Sequence, residues 1–411
     1  MQDALSYTSG GFTTYGGAEP CFPIICNDKT PLVIPHLYDA LLQLHNIQYG
    51  PLREVTWSDE DTGPVAGAKL FPDPPPEDRE WPTGLWEMQD LLWVDAICIN
   101  QAELEEKSVE VRVMGGIYTS AIIVLVWLGK PDEATEVAPR VVSQLPTVPK
   151  EIYKHLRAHD ILEQDSYAKL GIPMITTDQW KVFMMLMGRR WFDRVSTMQE
   201  AMLARYMGVV CDPHEISWHD LVRSSGFIDK STWSAPLSEL PGVNEEDTSI
   251  SRCQKGASPS MLSLGRESLI QGKGLFQGLD VLQSLEAMIL LARPKQSADP
   301  RDKVYAILWF VHTSSPATDP GKKTGLKRIM VPDYTKSTQD VYLEAVALVL
   351  KGSGNLQILS SVEDVSCRTI EGLPSWVPNL SALQWPPALI PHFRSGHRYC
   401  PWRAAGDQRS G

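Results

Sequence analysis

From about Ala4 to Arg223 the chain alternates short apolar runs with stretches whose apolar residues recur at helical spacing. Residues 3 to 8 predict a short strand, and Leu37, Leu41, Leu42 and Leu44 mark a short helix over Leu37 to His45. Leu91 to Ile99 is an apolar run broken by Asp95, which predicts a buried strand leading into a turn. Met114, Ile117, Tyr118 and Ala121 fall on one helical face, so a helix is expected over about 103–119. Ile122 to Leu128 is unbroken apolar sequence ending at Gly129-Lys130-Pro131, as a strand buried on both faces would be. Strand, helix and strand in that order imply a right-handed parallel crossover. The predicted class is α/β, a parallel sheet flanked by helices.

Further along, Asp178 to Met187 predicts a helix with Asp178 as N-cap and Trp180, Phe183, Met184 and Met187 as its buried stripe. Another helix begins near Ser196 and carries Gln199, Glu200, Leu203 and Ala204; Asp340 to Leu350 predicts a third. Phe71 to Pro82 is too rich in proline for a helix or a central strand and reads as a surface loop. Residues 224–274 are polar and turn-rich, and the sequence from Leu373 is rich in Pro and Trp. Three segments result: a first domain over 1–223, a linker or insertion over 224–274, and a mostly helical C-terminal region over 275–411.

Composition narrows the function classes. The 411 residues carry 50 acidic and 38 basic side chains, a net charge of −12, with no Lys/Arg block. Neither a nucleic-acid nor an anionic-membrane footprint is expected. The longest apolar run, Ile122 to Leu128, falls far short of the roughly 20 residues a membrane span requires. The opening residues show no basic and apolar leader, so a cytoplasmic location is expected. The seven cysteines are scattered without a CxxC pair, and the nine histidines form no HExxH-type pair, so neither disulfides nor a metal site is expected. His214 and His219 read as surface residues.

Several residues are candidates for chemistry. A carboxylate inside an apolar strand must be hydrogen-bonded or paired. Asp95 would hold a ligand at the carboxyl end of a parallel strand, or else bond the amides of the following loop, which Asn100 and Gln101 also fix. Ser6 and Tyr7 end the first predicted strand and would face the same side. Arg194 would pair with Glu200 or with a phosphate, or form a salt bridge at the core edge. Glu200 itself reads as a first-turn acid complementing the helix dipole. Gly10, Gly11, Gly16 and Gly17 match no phosphate-loop pattern. Cys98 has no histidine at meaningful spacing and reads as a buried structural thiol.

Larger blocks carry a resemblance. LWVDAICINQ (Leu92 to Gln101), IYTSA (Ile117 to Ala121) and VWLG (Val126 to Gly129) resemble the core of the fungal heterokaryon incompatibility (HET) domain. ALSYTSGG (Ala4 to Gly11) is similar to the family's opening ALSYxWG block, and RRWFDRVSTMQEAMLA (Arg189 to Ala204) to its RxWFxRxWxxQE block. DPRDKVYAIL (Asp299 to Leu308), PDYTKS (Pro332 to Ser337) and LPSWVPN (Leu373 to Asn379) resemble segments that follow the domain. Ser9 and Ser196 stand where the family usually has tryptophan. The opening block begins so soon after Met1 that the N-terminus reads as clipped relative to the family.

The resemblance implies a role in fungal non-self recognition that ends in cell death. It also implies a remote likeness to the TIR domain, a flavodoxin-like sheet in which ALSY, LWVDAICI and IIVLVWLG would be the first three strands. Glu200 would then match the TIR glutamate that cleaves NAD, with Ser6, Asp95 and Arg194 as ligand-binding neighbours. NAD would be substrate rather than resident cofactor, and self-association or protein partners are expected. The rival implication is a non-catalytic interaction module or a degenerate paralogue, since two large rings are missing.

Overall fold

The computed structural model describes residues 3–7, 21–25, 30–49, 91–130, 132–211, 214–233, 236–237, 259, 262, 280–313 and 330–382. The chain divides into two units, Met1–Leu275 and Phe276–Gly411. The described strands of the first unit are β1 (Asp3–Ser6), β2 (Phe22–Pro23), β3 (Leu32–Val33), β4 (Leu92–Trp93), β5 (Val124–Trp127), β6 (Met207–Cys211) and β7 (His214–Ile216). Among the described residues its α-helices include α1 (Pro35–Tyr49), α2 (Asp95–Cys98), α3 (Leu104–Ser120), α4 (Glu133–Gln144), α5 (Gln164–Leu170), α6 (Thr177–Met187), α7 (Ser196–Leu203) and α8 (Trp218–Lys230).

Five of the strands form one sheet in the order β4-β1-β5-β6-β7, while β2 and β3 make a separate hairpin. Ala4 pairs with Trp93 on one side and with Val124 on the other, both parallel. β5 and β6 are also parallel, and β7 returns antiparallel. With the small hairpin set aside, the sheet order is second-first-third-fourth-fifth, that of flavodoxin-like doubly wound sheets, except for its reversed last strand. The expected α/β class is observed.

Every residue of β1 and β5 is buried, which explains their unbroken apolar character. Successive side chains point to opposite faces. Leu5, Leu125 and Trp127 join Leu37, Ala40 and Leu44 of α1 in one cluster. Ala4 and Val124 join Met114 and Tyr118 of α3 and Ala204, just past α7, in the other. Across the first cluster, Trp127 Nε1 donates to Gln43 Oε1 at 2.5 Å.

Four expectations are corrected. Only Leu92–Trp93 of the run Leu91 to Ile99 is strand, because the chain turns at Asp95 into the single helical turn α2. Asp95 Oδ1 takes the Ala96 amide at 2.7 Å, and Cys98 N–H donates to Val94 O at 2.8 Å. A short polar side chain that captures a nearby amide favours a turn over continued extension. Cys98 is consequently exposed rather than buried. Helix α6 is capped by Thr176 rather than Asp178, in a reciprocal box with Gln179 (3.3 and 2.8 Å). Helix α8 runs straight through residue 223, and Trp233 beyond it is fully buried, donating to Arg157 O at 3.0 Å. Residues 224–233, expected as the start of a turn-rich linker or insertion, thus continue helix α8 and end on a buried ring. The proline-rich loop Phe71 to Pro82 and most of 234–279 lie outside the described residues.

In the second unit, helix Val281–Ala292 packs on Thr338–Gly352 and Leu308–Thr313. Gly352 lets the first two meet closely, since a Cβ there would lie 1.9 Å from Leu282 Cδ1. The segments DPRDKVYAIL and PDYTKS are tied together. Arg301 grips Asp299 (2.7 Å) and donates to the carbonyl of Lys336 (3.0 Å), and Tyr305 donates to Asp333 O (2.8 Å). No helix among the described residues is long and apolar enough to cross a membrane.

Candidate functional site

Parallel neighbours bring their carboxyl ends to the same edge, so β1 and β4 deliver Ser6, Tyr7 and Asp95 side by side. The segment around α7 approaches the same place. Ser6 Oγ donates a short hydrogen bond to Glu200 Oε2 and accepts one from Trp191 Nε1 at 2.6 Å. Arg194 donates from a terminal guanidinium nitrogen to the Tyr7 carbonyl at 2.6 Å, and Thr197 Oγ1 donates to the Arg194 carbonyl at 2.8 Å. The Tyr7 hydroxyl faces the Asp95 carboxylate. Ser6 and Glu200 expose only 1% and 3% of their surface, whereas Asp95 and Arg194 are half-buried.

Burial pushes the Glu200 carboxyl above the usual carboxylate range. Arg194 and the Ser6 hydrogen bond oppose that rise, and the charge of Asp95 adds to it. Burial likewise raises the Tyr7 phenol, with the Asp95 charge adding, and the Tyr118 phenol, with Glu200 adding. Both phenols therefore remain protonated donors at neutral pH. Ser196 sits one turn before Glu200, and its buried hydroxyl favours the charged carboxylate.

The four sequence-predicted residues, Glu200, Ser6, Asp95 and Arg194, thus come together. Two of their readings change. Glu200 lies beyond the first turn of α7, which contains no acid, so its place is not explained by the helix dipole. Arg194 gives its N–H to Tyr7 and acts on Glu200 through its field. Asp95 does bond a backbone amide, and Gln101 Nε2 donates to its carbonyl at 3.4 Å, as expected of loop architecture. Ser9, Gly10, Gly11, Gly16 and Gly17 lie outside the described residues. Trp191 was not legible as part of the site. Its signal is an indole in a buried block, whose N–H needs a partner.

His219 is beside Asp220 at 3.6 Å, and His214 is half-buried in β7. His159, Asp160 and Glu163 offer ligand atoms within 4.8 Å of one another. Asp160 is committed to capping, accepting the Arg157 amide at 2.8 Å, and local turn geometry accounts for that grouping.

A mainly parallel sheet in this strand order, with a buried carboxylate held at its carboxyl edge, defines a doubly wound α/β domain. Residues 86–200 match the family model "Heterokaryon incompatibility protein (HET)", and the chain carries a domain of that family. The matched stretch includes β4, α3 and β5 and ends on Glu200; Ser6 lies outside it. The chain is also similar to "Heterokaryon incompatibility protein 6, OR allele" of Neurospora crassa, at 26% identity over 326 residues. That similarity covers 70% of this chain and 44% of the relative, so the chain spans less than half the length of the curated protein it matches. No solved structure matches the chain.

Proposed function

We propose that this protein acts in fungal heterokaryon incompatibility, with cell death as its output, and that its chemical contribution is NAD hydrolysis at Glu200. The observation that carries the chemistry is a carboxylate in the HET segment, buried at the carboxyl end of β1 and held there by Ser6. Cleaving the nicotinamide–ribose bond sends its electron pair to the ring nitrogen, and nicotinamide leaves neutral. The ribose carbon acquires oxocarbenium character, which a nearby carboxylate stabilises. Water then adds at that carbon, and its proton passes to the carboxylate and on to solvent. In this reading Arg194 would meet a phosphate, and Asp95 a ribose hydroxyl. Activation by self-association or by a protein partner belongs to the same proposal.

A second reading has its own support. Glu200 is 3% exposed and one oxygen is engaged by Ser6, as in an architectural network within a non-catalytic interaction module. The two readings separate in one experiment. The purified chain, fused to an oligomerisation tag, is incubated with NAD beside Glu200→Ala. Nicotinamide release by the wild type and its loss in the variant support the enzyme; no release from either folded protein leaves the interaction module.

A further inference from the structure

Trp191 is fully buried and its ring is wedged edge-on against Phe192 and Trp218, at centroid distances of 5.1 and 6.2 Å. An indole nitrogen donates and never accepts. The 2.6 Å contact between Trp191 Nε1 and Ser6 Oγ therefore has one polarity: Ser6 accepts. A serine hydroxyl has a single proton, and with a lone pair occupied by Trp191 that proton is directed to Glu200 Oε2. Oε2 is in turn fixed as an acceptor, so any proton that Glu200 carries must sit on Oε1.

We propose that Trp191 and Ser6 are positioning residues for Glu200, a one-way donor relay that reserves Oε2 as acceptor and leaves Oε1 as the oxygen that meets the substrate. The inference rests on the Glu200 hydrolysis reading for its catalytic meaning, though the relay can be tested without it. Other groups act on the carboxyl from every side: Arg194 and Ser196 from its own segment, Asp95 from the turn after β4, Tyr7 from β1 and Tyr118 from α3. Arg194, Ser6 and Ser196 favour the charged form, whereas Asp95 opposes it.

The test uses the tagged full chain with Ser6→Ala, Trp191→Phe and Ser6→Thr, each checked for folding by circular dichroism. Phe keeps an aromatic ring in the packed site and removes the donor along with part of the ring volume; Thr keeps the hydroxyl. Ser6→Ala is expected to lower kcat by about tenfold with little change in KM, and to move the acidic limb of the kcat–pH profile up by about one unit. Trp191→Phe should shift the limb in the same direction by less, and Ser6→Thr should restore it. Folded Ser6→Ala and Trp191→Phe proteins with wild-type kcat and an unmoved limb would overturn the relay. If the wild type releases no nicotinamide, the hydrolysis reading fails by itself. The relay is then read from the Glu200 carboxyl stretch, isolated by infrared difference against Glu200→Gln: a titration midpoint that rises in Ser6→Ala supports it, and an unchanged midpoint overturns it.

Discussion

Arg293 and Glu363 form a 2.9 Å ion pair whose side chains expose 1% and 0% of their surface. Arg293 also donates to the carbonyls of Ser361 and Asn379, and Glu363 accepts the Asn379 amide at 2.9 Å and faces Arg368 at 3.0 Å. Burial pushes the Arg293 guanidinium down to about 10, with Glu363 opposing, so it stays charged at neutral pH. Removing one partner of such a pair strands the other. Arg293→Met is expected to cost about 3–5 kcal/mol in urea unfolding. A loss under about 1 kcal/mol would show that Arg368 alone satisfies Glu363.

Lys303 is buried, with Nζ donating to the Arg293 carbonyl at 2.9 Å. Burial, with the charges of Lys295 and Arg293 adding to it, pushes its amine down to about 7. An unfolded lysine titrates near 10.4. Folding is therefore unpenalised above that pH, loses stability as pH falls, and carries the whole penalty below about 7. Lys303→Met should raise the melting temperature most at pH 6 and progressively less towards pH 9.5. A gain independent of pH would mean that the charge is not its cause.

For Glu200 the sign is opposite. A carboxyl raised by burial contributes stability at pH values below the unfolded pKa, and that contribution is lost as pH rises through the folded one. Glu200→Gln is expected to be more stable than wild type at pH 8, with the difference closing as pH falls towards 4.5. Melting curves at intervals of one pH unit check this, and a constant offset would contradict it.

Gln43 and Trp127 join α1 to the sheet through one buried hydrogen bond. Gln43→Leu should cost about 1–3 kcal/mol by leaving the indole N–H unsatisfied. Adding Trp127→Phe removes the orphaned donor, so the double variant should lose less than the two single losses summed. Strict additivity would show that the two side chains are not coupled.

The legible parts of the fold are those where burial dictates composition. β1 and β5 are covered on both faces and read as unbroken apolar sequence, and the α3 and α6 stripes follow their buried faces. Leu91 to Ile99 misled because an apolar run does not tell a strand from a buried turn, and the decisive event was the Asp95 carboxylate capturing the Ala96 amide. The site was legible only as separate residues. Glu200, Ser6 and Arg194 are brought together by strand order, which no local pattern encodes. The buried basic residues of Leu291-Ala292-Arg293-Pro294-Lys295 were invisible for the same reason: Glu363 and Asn379, which bury and satisfy Arg293, come much later in the chain.

The register of β1 sets an order of events during folding. Its two ladders join Ala4 to Trp93 and to Val124, so this strand has no neighbour in the sheet until long stretches of later chain have been made. Pairings so far apart in sequence are slow, because loop closure must come before any contact rewards it. The sheet therefore assembles late, and Ala4 and Leu5 stay exposed to chaperones on the ribosome until β5 emerges. Ser6 and Glu200 meet only after that step, so the site cannot exist in a nascent chain that stops short of α7.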